Sequence, residues 1–75
     1  MLDFWFKATW RDLDGWEVTG TFNRYASSKK EAVKLAKICL KWFDEKLPSS
    51  FHFIGMELIK VDEVLGTEPI EMEEI

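Results

Sequence analysis

Apolar and polar residues alternate in two runs near the start of the chain. In residues 2–11 every second side chain is apolar, and residues 16–25 repeat the pattern more weakly. A period of two places alternate side chains on opposite faces of an extended chain, so each run predicts a β-strand with one buried face. The predicted buried positions are Leu2, Phe4, Phe6, Ala8 and Trp10, followed by Trp16, Val18, Gly20 and Phe22.

The sequence Asp-Leu-Asp-Gly joins these two strands. A two-residue loop would set the apolar face of one strand against the polar face of the other. A three-residue loop instead aligns Trp10 with Val18 and Phe6 with Phe22. On the other face it pairs Arg11 with Glu17 and Thr9 with Thr19, both favourable cross-strand pairs. We therefore predict a hairpin with a type I turn and with Gly15 at the left-handed bulge position.

The hydrophobic period then lengthens and predicts a helix within residues 27–47. Ser28 and Glu31 have the spacing of a capping box, in which the glutamate reaches back to the cap residue. No Gly or Pro interrupts the run before Pro48, which ends it. One wide apolar face results: Ala32, Leu35, Ala36, Cys39, Leu40, Phe43 and Leu47, with Val33 and Trp42 at its edges.

Residues 51–62 are rich in apolar and aromatic side chains and predict a third strand of uncertain phase. Ile54, Met56 and Leu58 share one face, whereas Phe51, Phe53, Ile59 and Val61 share the other. Either a bulge near Glu57 switches the faces, or both faces are covered. A right-handed crossover through the helix predicts an α+β fold, β-β-α-β, with an antiparallel sheet in the order 2-1-3 and the helix on one face.

A chain of 75 residues corresponds to one domain. We expect a ββαβ domain over residues 1–66 and an acidic tail over residues 67–75. Charge is unevenly distributed, because residues 1–56 carry nine Lys or Arg and seven Asp or Glu, whereas residues 57–75 carry one lysine and seven acids. The acidic end and the basic part of the chain are therefore separate features.

No catalytic, cofactor-binding or metal-binding residues are predicted. Cys39 and His52 are the only cysteine and histidine, and they would form a nucleophilic pair only if the fold brought them together. Asp12 to Gly15 resembles a fragment of a calcium loop, but the ligands of an EF-hand do not follow it, so a turn is the better interpretation. The chain is expected not to be an enzyme.

A cytoplasmic location is expected. A single cysteine permits no internal disulfide. Asp3 interrupts any apolar segment of a signal peptide, and no run approaches the roughly 20 apolar residues that cross a bilayer. No membrane partner is expected.

Exposed apolar positions favour protein binding as the first hypothesis. Trp5 and Tyr25 fall on the sheet face opposite the helix, where an apolar surface would need a cover, most simply a second copy of the chain. Ile38 and Trp42 form a partly exposed edge of the helix. The tail adds four acids that could dock on a basic surface or imitate a row of phosphates: Glu68, Glu71, Glu73 and Glu74.

These features are typical of a homodimeric protein-binding module that regulates or inhibits a partner protein, in the general style of accessory proteins of phages or mobile elements. The alternative is a weak nucleic-acid-binding protein that uses four lysines on one helix face: Lys30, Lys34, Lys37 and Lys41. No arginine or aromatic residue lies on that face to contact bases, and the pI of about 4.9 argues against a dedicated nucleic-acid binder.

Overall fold

A computed structural model of the protein describes residues 1–64 and contains three strands and one helix. The elements are β1 (Leu2–Arg11), β2 (Glu17–Ala26), α1 (Lys29–Lys46) and β3 (His52–Glu63). The strands form one antiparallel sheet in the order β2-β1-β3, which confirms the predicted fold. The predicted domain boundary after residue 66 and the acidic tail lie outside the described residues.

The central strand β1 supplies one half of the hydrophobic core. Its alternate residues Phe4, Phe6, Ala8 and Trp10 are all buried, as the alternation predicted. Because β1 has a neighbouring strand on each side and the helix on one face, these side chains have no route to water. The Phe6 ring stacks on Phe22 of β2 with 5.6 Å between the ring centroids, an arrangement that adds to the burial energy.

Small residues form the centre of the helix face that meets the sheet. Ala32, Ala36 and Cys39 are buried, and small side chains there let the helix approach the aromatic row of β1 closely. Larger residues pack around this centre and remain partly exposed: Val33, Leu35, Leu40, Phe43 and Leu47. The hydrophobic face of the helix was therefore predicted correctly, but only its smallest members are fully enclosed.

The hairpin turn has the predicted register and geometry. Arg11 lies opposite Glu17 and forms an ion pair of 2.6 Å with it. Gly15 has a positive φ of 90°, and its N–H donates to the Asp12 carbonyl at 3.2 Å. Two residues predicted on the buried face are exposed: Trp16 at 72% and Val18 at 37%. Trp16 precedes β2 beside the turn of the hairpin, where its carbonyl accepts from the Asp12 N–H at 3.0 Å.

The helix begins at a hydrogen-bonded cap. The Ser28 hydroxyl accepts from the Glu31 N–H at 3.2 Å, as predicted. The Glu31 carboxylate does not reach the cap residue, however, but accepts from the N–H and the hydroxyl of Ser27 at 3.1 and 3.0 Å. The hydrogen bonds from the Ser27 backbone and side chain lower the pKa of Glu31.

Two irregularities in β3 decide the phase that the sequence left open. The pairing with β1 shifts between Trp5 and Phe6, and again between Thr9 and Trp10, so Ile59 and Ile54 have no partner. At a bulge, two residues of one strand lie opposite a single residue of its partner. The side chains that follow the bulge therefore point to the opposite face from the one that strict alternation would give. As a result, four apolar residues lie opposite buried residues of β1: Phe53, Met56, Leu58 and Val61.

The two glycines of the hairpin predict opposite effects of substitution. Gly15→Ala is expected to lower the free energy of unfolding by about 1 kcal/mol, because alanine disfavours a positive φ. Gly20→Ala is expected to raise it by about 0.4–1 kcal/mol, since Gly20 lies in β2 and an added Cβ meets no atom within 4 Å. Urea unfolding of both variants measures the difference, and equal effects would contradict the assigned turn.

The cap of α1 predicts a pH-dependent contribution to stability. The folded-state pKa of Glu31 lies below its ordinary value of 4.5, so the ionised carboxylate stabilises the fold fully above that pH. This contribution is lost as the pH falls through the lowered pKa. Wild type should therefore be more stable than Glu31→Gln above pH 4.5, and the gap should shrink under more acidic conditions. A gap that is independent of pH in urea unfolding would exclude this role.

Candidate functional site

The helix covers two of the three strands. It packs mainly on β2 and β1, and the helix-side surface of β3 is only partly covered. A helix with side chains is about 10 Å across, and strands lie about 4.8 Å apart, so one helix cannot cover a three-stranded sheet evenly. Phe53 and Val61 of β3 consequently remain 44% and 45% exposed although their β1 partners are buried.

A groove, here called the β3 groove, runs between α1 and the helix-side surface of β3. Met56 and Leu58 of β3 are half-buried beneath it, and Val33 and Leu40 of α1 are half-buried beside it. The end of the groove nearest the start of β3 opens into a hollow of about 400 Å³. Its lining combines aromatic and charged side chains: Trp10, Lys37, Leu40, Lys41, Asp44, Phe51, His52 and Phe53.

Trp10 links the two walls of this hollow. Its indole N–H donates to the Asp44 carboxylate of α1 at 3.2 Å. Its ring meets Phe43 of α1 and Phe53 of β3 edge-on, with centroids 6.2 and 5.7 Å apart. The single buried tryptophan of the core therefore also fixes the floor of the exposed groove.

The four lysines of the alternative hypothesis, here called the lysine stripe (Lys30, Lys34, Lys37 and Lys41), are all exposed on α1. Within residues 1–64 the salt bridges are Arg11–Glu17 and Lys60–Asp62, so no lysine of the stripe forms one there, although Lys34 interacts electrostatically with Glu31 at longer range. A second hollow of about 500 Å³ lies along the first half of the helix and is lined by Lys29, Lys30, Val33, Lys34 and Lys37. Both hollows are thus bordered by positive charge.

The open face of the sheet, opposite α1, is more polar than predicted. Trp5 is half-buried there, and its indole N–H donates to Asp3 at 3.0 Å. Asp3 also accepts from the Asn23 amide at 2.7 Å, and the Lys60 ammonium lies 5.9 Å from the centre of the Trp5 ring. A connected polar network therefore surrounds this tryptophan, and the bulges of β3 direct most of its apolar residues to the other face.

The predicted partner-binding residues occupy two separate sides of the molecule. Trp5 and Tyr25 lie on the open face, and Tyr25 is largely exposed. Ile38 and Trp42 are exposed on α1, on the opposite side of the sheet, where Lys46 lies 5.2 Å from the centre of the Trp42 ring. The four predicted tail residues, Glu68, Glu71, Glu73 and Glu74, lie outside the described residues.

A further apolar hollow was not identified from the sequence. It encloses about 230 Å³ at the edge of β2 beneath the end of α1 and is lined by Trp10, Val18, Gly20, Phe43, Lys46 and Leu47. Gly20 could have indicated this hollow in the sequence, because a glycine on the buried face of a strand leaves a gap where a side chain would otherwise pack.

The chemistry-bearing residues do not form a catalytic or metal-binding group in the described part of the chain. Cys39 is buried in the core, whereas His52 is exposed at the start of β3, and no hydrogen bond joins them. Within residues 1–64, no three potential ligands among His, Cys, Asp and Glu lie close enough to hold a metal ion.

Comparison with known proteins gives no family assignment. No protein-family model, curated protein or solved structure matches the chain. Separately, no helix within residues 1–64 combines the length and the apolar character that crossing a membrane needs.

Proposed function

We propose that this chain is a small, non-enzymatic protein-binding module that forms a homodimer and regulates a partner protein. One observation carries the proposal: β3 is an edge strand, and its helix-side surface is only partly covered, since Phe53 and Val61 remain 44% and 45% exposed. Such a strand offers both unpaired backbone groups and apolar side chains to a second chain.

A second copy of the chain would both pair with the backbone groups of β3 and cover its apolar side chains. When two β3 strands pair in an antiparallel manner, the twofold axis is perpendicular to the sheet, so both helices lie on the same side. The two β3 grooves then merge between the helices. Phe53 and Val61 of each copy, which are almost half-exposed in one chain, become part of a shared apolar layer.

The other edge of the sheet is a poorer candidate. β2 is covered by α1, and Val18 and Tyr25 are its exposed large apolar residues. β3 has four, each 40–47% exposed: Phe53, Ile54, Ile59 and Val61. Phe53 and Val61 face the proposed interface, and completing their burial is worth about 1 kcal/mol each, or roughly 4 kcal/mol per dimer. This gain reaches only the lower end of the roughly 4–15 kcal/mol that association costs. Inter-strand hydrogen bonds would supply the remainder, so a dimer of modest affinity is expected.

Contacts with a different protein would use the surfaces that the dimer leaves free. In the proposed dimer, Trp5 and Tyr25 lie on one continuous open face contributed by both copies. Ile38 and Trp42 remain on the outer surface of each helix. We propose these two pairs as partner-binding residues, with the aromatic members as anchors, since tryptophan and tyrosine are enriched among residues that dominate binding energy.

Dimerisation through β3 predicts different effects for two valines on opposite edges. Val61→Lys places a charge on the uncovered side of β3 and is expected to weaken the dimer at least about tenfold. Val18→Lys is the matched control, because Val18 is similarly exposed, at 37%, and faces the same side on β2. Sedimentation equilibrium measures both dissociation constants.

The control variant should dissociate like wild type. Circular dichroism and thermal unfolding establish that both variants retain the fold. A wild-type chain that is monomeric at all concentrations would contradict the proposal, and so would equal weakening of the dimer by the two substitutions.

A second candidate function is nucleic-acid binding through the lysine stripe, which is supported by four exposed ammonium groups that form no salt bridge within residues 1–64. Replacing all four with glutamine should then abolish binding to a fluorescent oligonucleotide, and the wild-type affinity should fall steeply with salt. The control replaces the other four lysines, Lys7, Lys29, Lys46 and Lys60, and so changes the net charge equally. Equal loss in both variants, or no binding by wild type, would exclude the stripe as a specific site.

A further inference from the structure

The strand β2 forms the other edge of the sheet, and within residues 1–64 no strand pairs with its outer side. Hydrogen-bonded and non-bonded residue pairs alternate along an antiparallel ladder. The Asp12 N–H donates to the Trp16 carbonyl at 3.0 Å, and counting from this bond directs the backbone groups of Gly20 toward β1. The N–H and C=O groups of its neighbours Thr19 and Thr21 therefore point outward, away from the sheet.

A side chain already occupies the part of this edge nearer the end of β2. The same alternation turns the Asn23 carbonyl outward, and the Arg24 guanidinium donates to it at 2.8 Å. The section that remains available, here called the open edge of β2 (residues 19–21), lies nearer the hairpin turn. Free backbone groups on an edge strand can pair with an extended segment of another chain.

The apolar hollow of about 230 Å³ lies at the open edge of β2. Gly20 is the central residue of this edge, and its missing side chain leaves space beside the Trp10 and Phe43 rings, which also line the hollow. A Cβ built at Gly20 meets no atom within 4 Å. Since an engineered cavity of about 150 Å³ holds benzene in another protein, this hollow has room for a phenyl ring.

An antiparallel strand added to β2 would place one side chain directly over the hollow. Opposite residues of two antiparallel strands project to the same face, and their Cα atoms lie about 4.5 Å apart where they exchange no hydrogen bond. The residue opposite Gly20 would occupy such a position, on the helix side of the sheet. Aromatic residues suit this position, because an aromatic ring covers the gap that a glycine leaves in an edge strand.

A cation beside the hollow defines a second position of the added strand. Lys46 and Val18 both line the hollow, and Lys46 forms no salt bridge within residues 1–64. The residue opposite Val18 would follow the residue opposite Gly20 by two positions and would project to the same face. An acidic side chain at that position would approach the Lys46 ammonium group, and a charge-assisted contact would favour it over a neutral one.

We propose that the open edge of β2 binds an extended segment of a partner protein, with an aromatic residue opposite Gly20 and an acidic residue two positions later. The segment becomes a fourth strand of the sheet, and its aromatic ring fills the hollow. This inference extends the proposed protein binding to a second site. Because the site lies at the edge opposite β3, it does not depend on the proposed dimer.

A peptide titration of the full chain, followed by amide NMR, tests the proposal. The probe is acetyl-Ser-Thr-Phe-Thr-Glu-Ser-amide, whose Phe and Glu would lie opposite Gly20 and Val18. Saturable shifts are expected for the backbone amides of Thr19 and Thr21 and for the indole N–H of Trp10. Replacing the Phe of the peptide with Ala should weaken binding at least about tenfold, because the hollow is then left empty.

N-methylated peptides test the strand pairing separately from capture of the ring. The Thr that follows Phe in the peptide would donate its N–H to the Thr19 carbonyl, so methylation of this nitrogen should abolish binding. The N–H of the Phe itself would point away from β2, and its methylation should change the affinity by less than about twofold. Equal loss from the two methylated peptides would overturn the proposal.

Two variants of the protein complete the test. Gly20→Val fills the hollow and should weaken the peptide at least about tenfold, whereas Thr21→Val, the matched control, changes a side chain on the opposite face of β2 and should not. Circular dichroism establishes that both variants retain the fold. The absence of saturable shifts at millimolar peptide, or shifts centred on β3, would also overturn the proposal. Failure of the proposed dimer would leave these expected shifts unchanged.

Discussion

The structure depends on the aromatic row of β1 being covered by a single narrow helix. Phe4, Phe6 and Trp10 need complete removal from water, and the small residues Ala32 and Ala36 let α1 lie close to them. A helix about 10 Å across covers only about two strands spaced 4.8 Å apart. Since α1 follows β2 after a short connection and packs on β2 and β1, the uncovered strand is β3. The exposed groove is therefore a consequence of how the core is closed.

Trp10 connects this core to the surface. Its ring is 3% exposed, yet it contacts Phe43 on the helix and Phe53 on β3, and its indole N–H is bonded to Asp44. A domain of 75 residues buries a smaller fraction of its surface than a larger one, so its stability margin is narrow. Association through the groove would bury apolar surface that the single chain leaves exposed. The proposed dimer would therefore also increase the stability of the fold.

Local periodicity was sufficient to predict most of this architecture. Strict alternation in β1 fixed its buried face, and the pairing of Arg11 with Glu17 fixed the hairpin register. The phase of β3 was not predictable, because the broken alternation indicated a possible bulge near Glu57 but the bulges at Ile54 and Ile59 are located only by pairing with β1. The polar network around Trp5 was missed for a similar reason, since Asp3 and Asn23 meet only across strands. The residues of the candidate surfaces were thus predicted, but their positions relative to one another were not.

The central claim is that a second copy covers the helix-side surface of β3. The most direct measurement is an isotope-filtered NOE experiment on a sample that mixes labelled and unlabelled chains, which detects contacts between copies alone. The account predicts intermolecular NOEs among the methyl groups of Met56, Leu58 and Val61. Intermolecular NOEs confined to Trp5 and Tyr25 on the open face would contradict it, as would their absence from a sample shown to be dimeric.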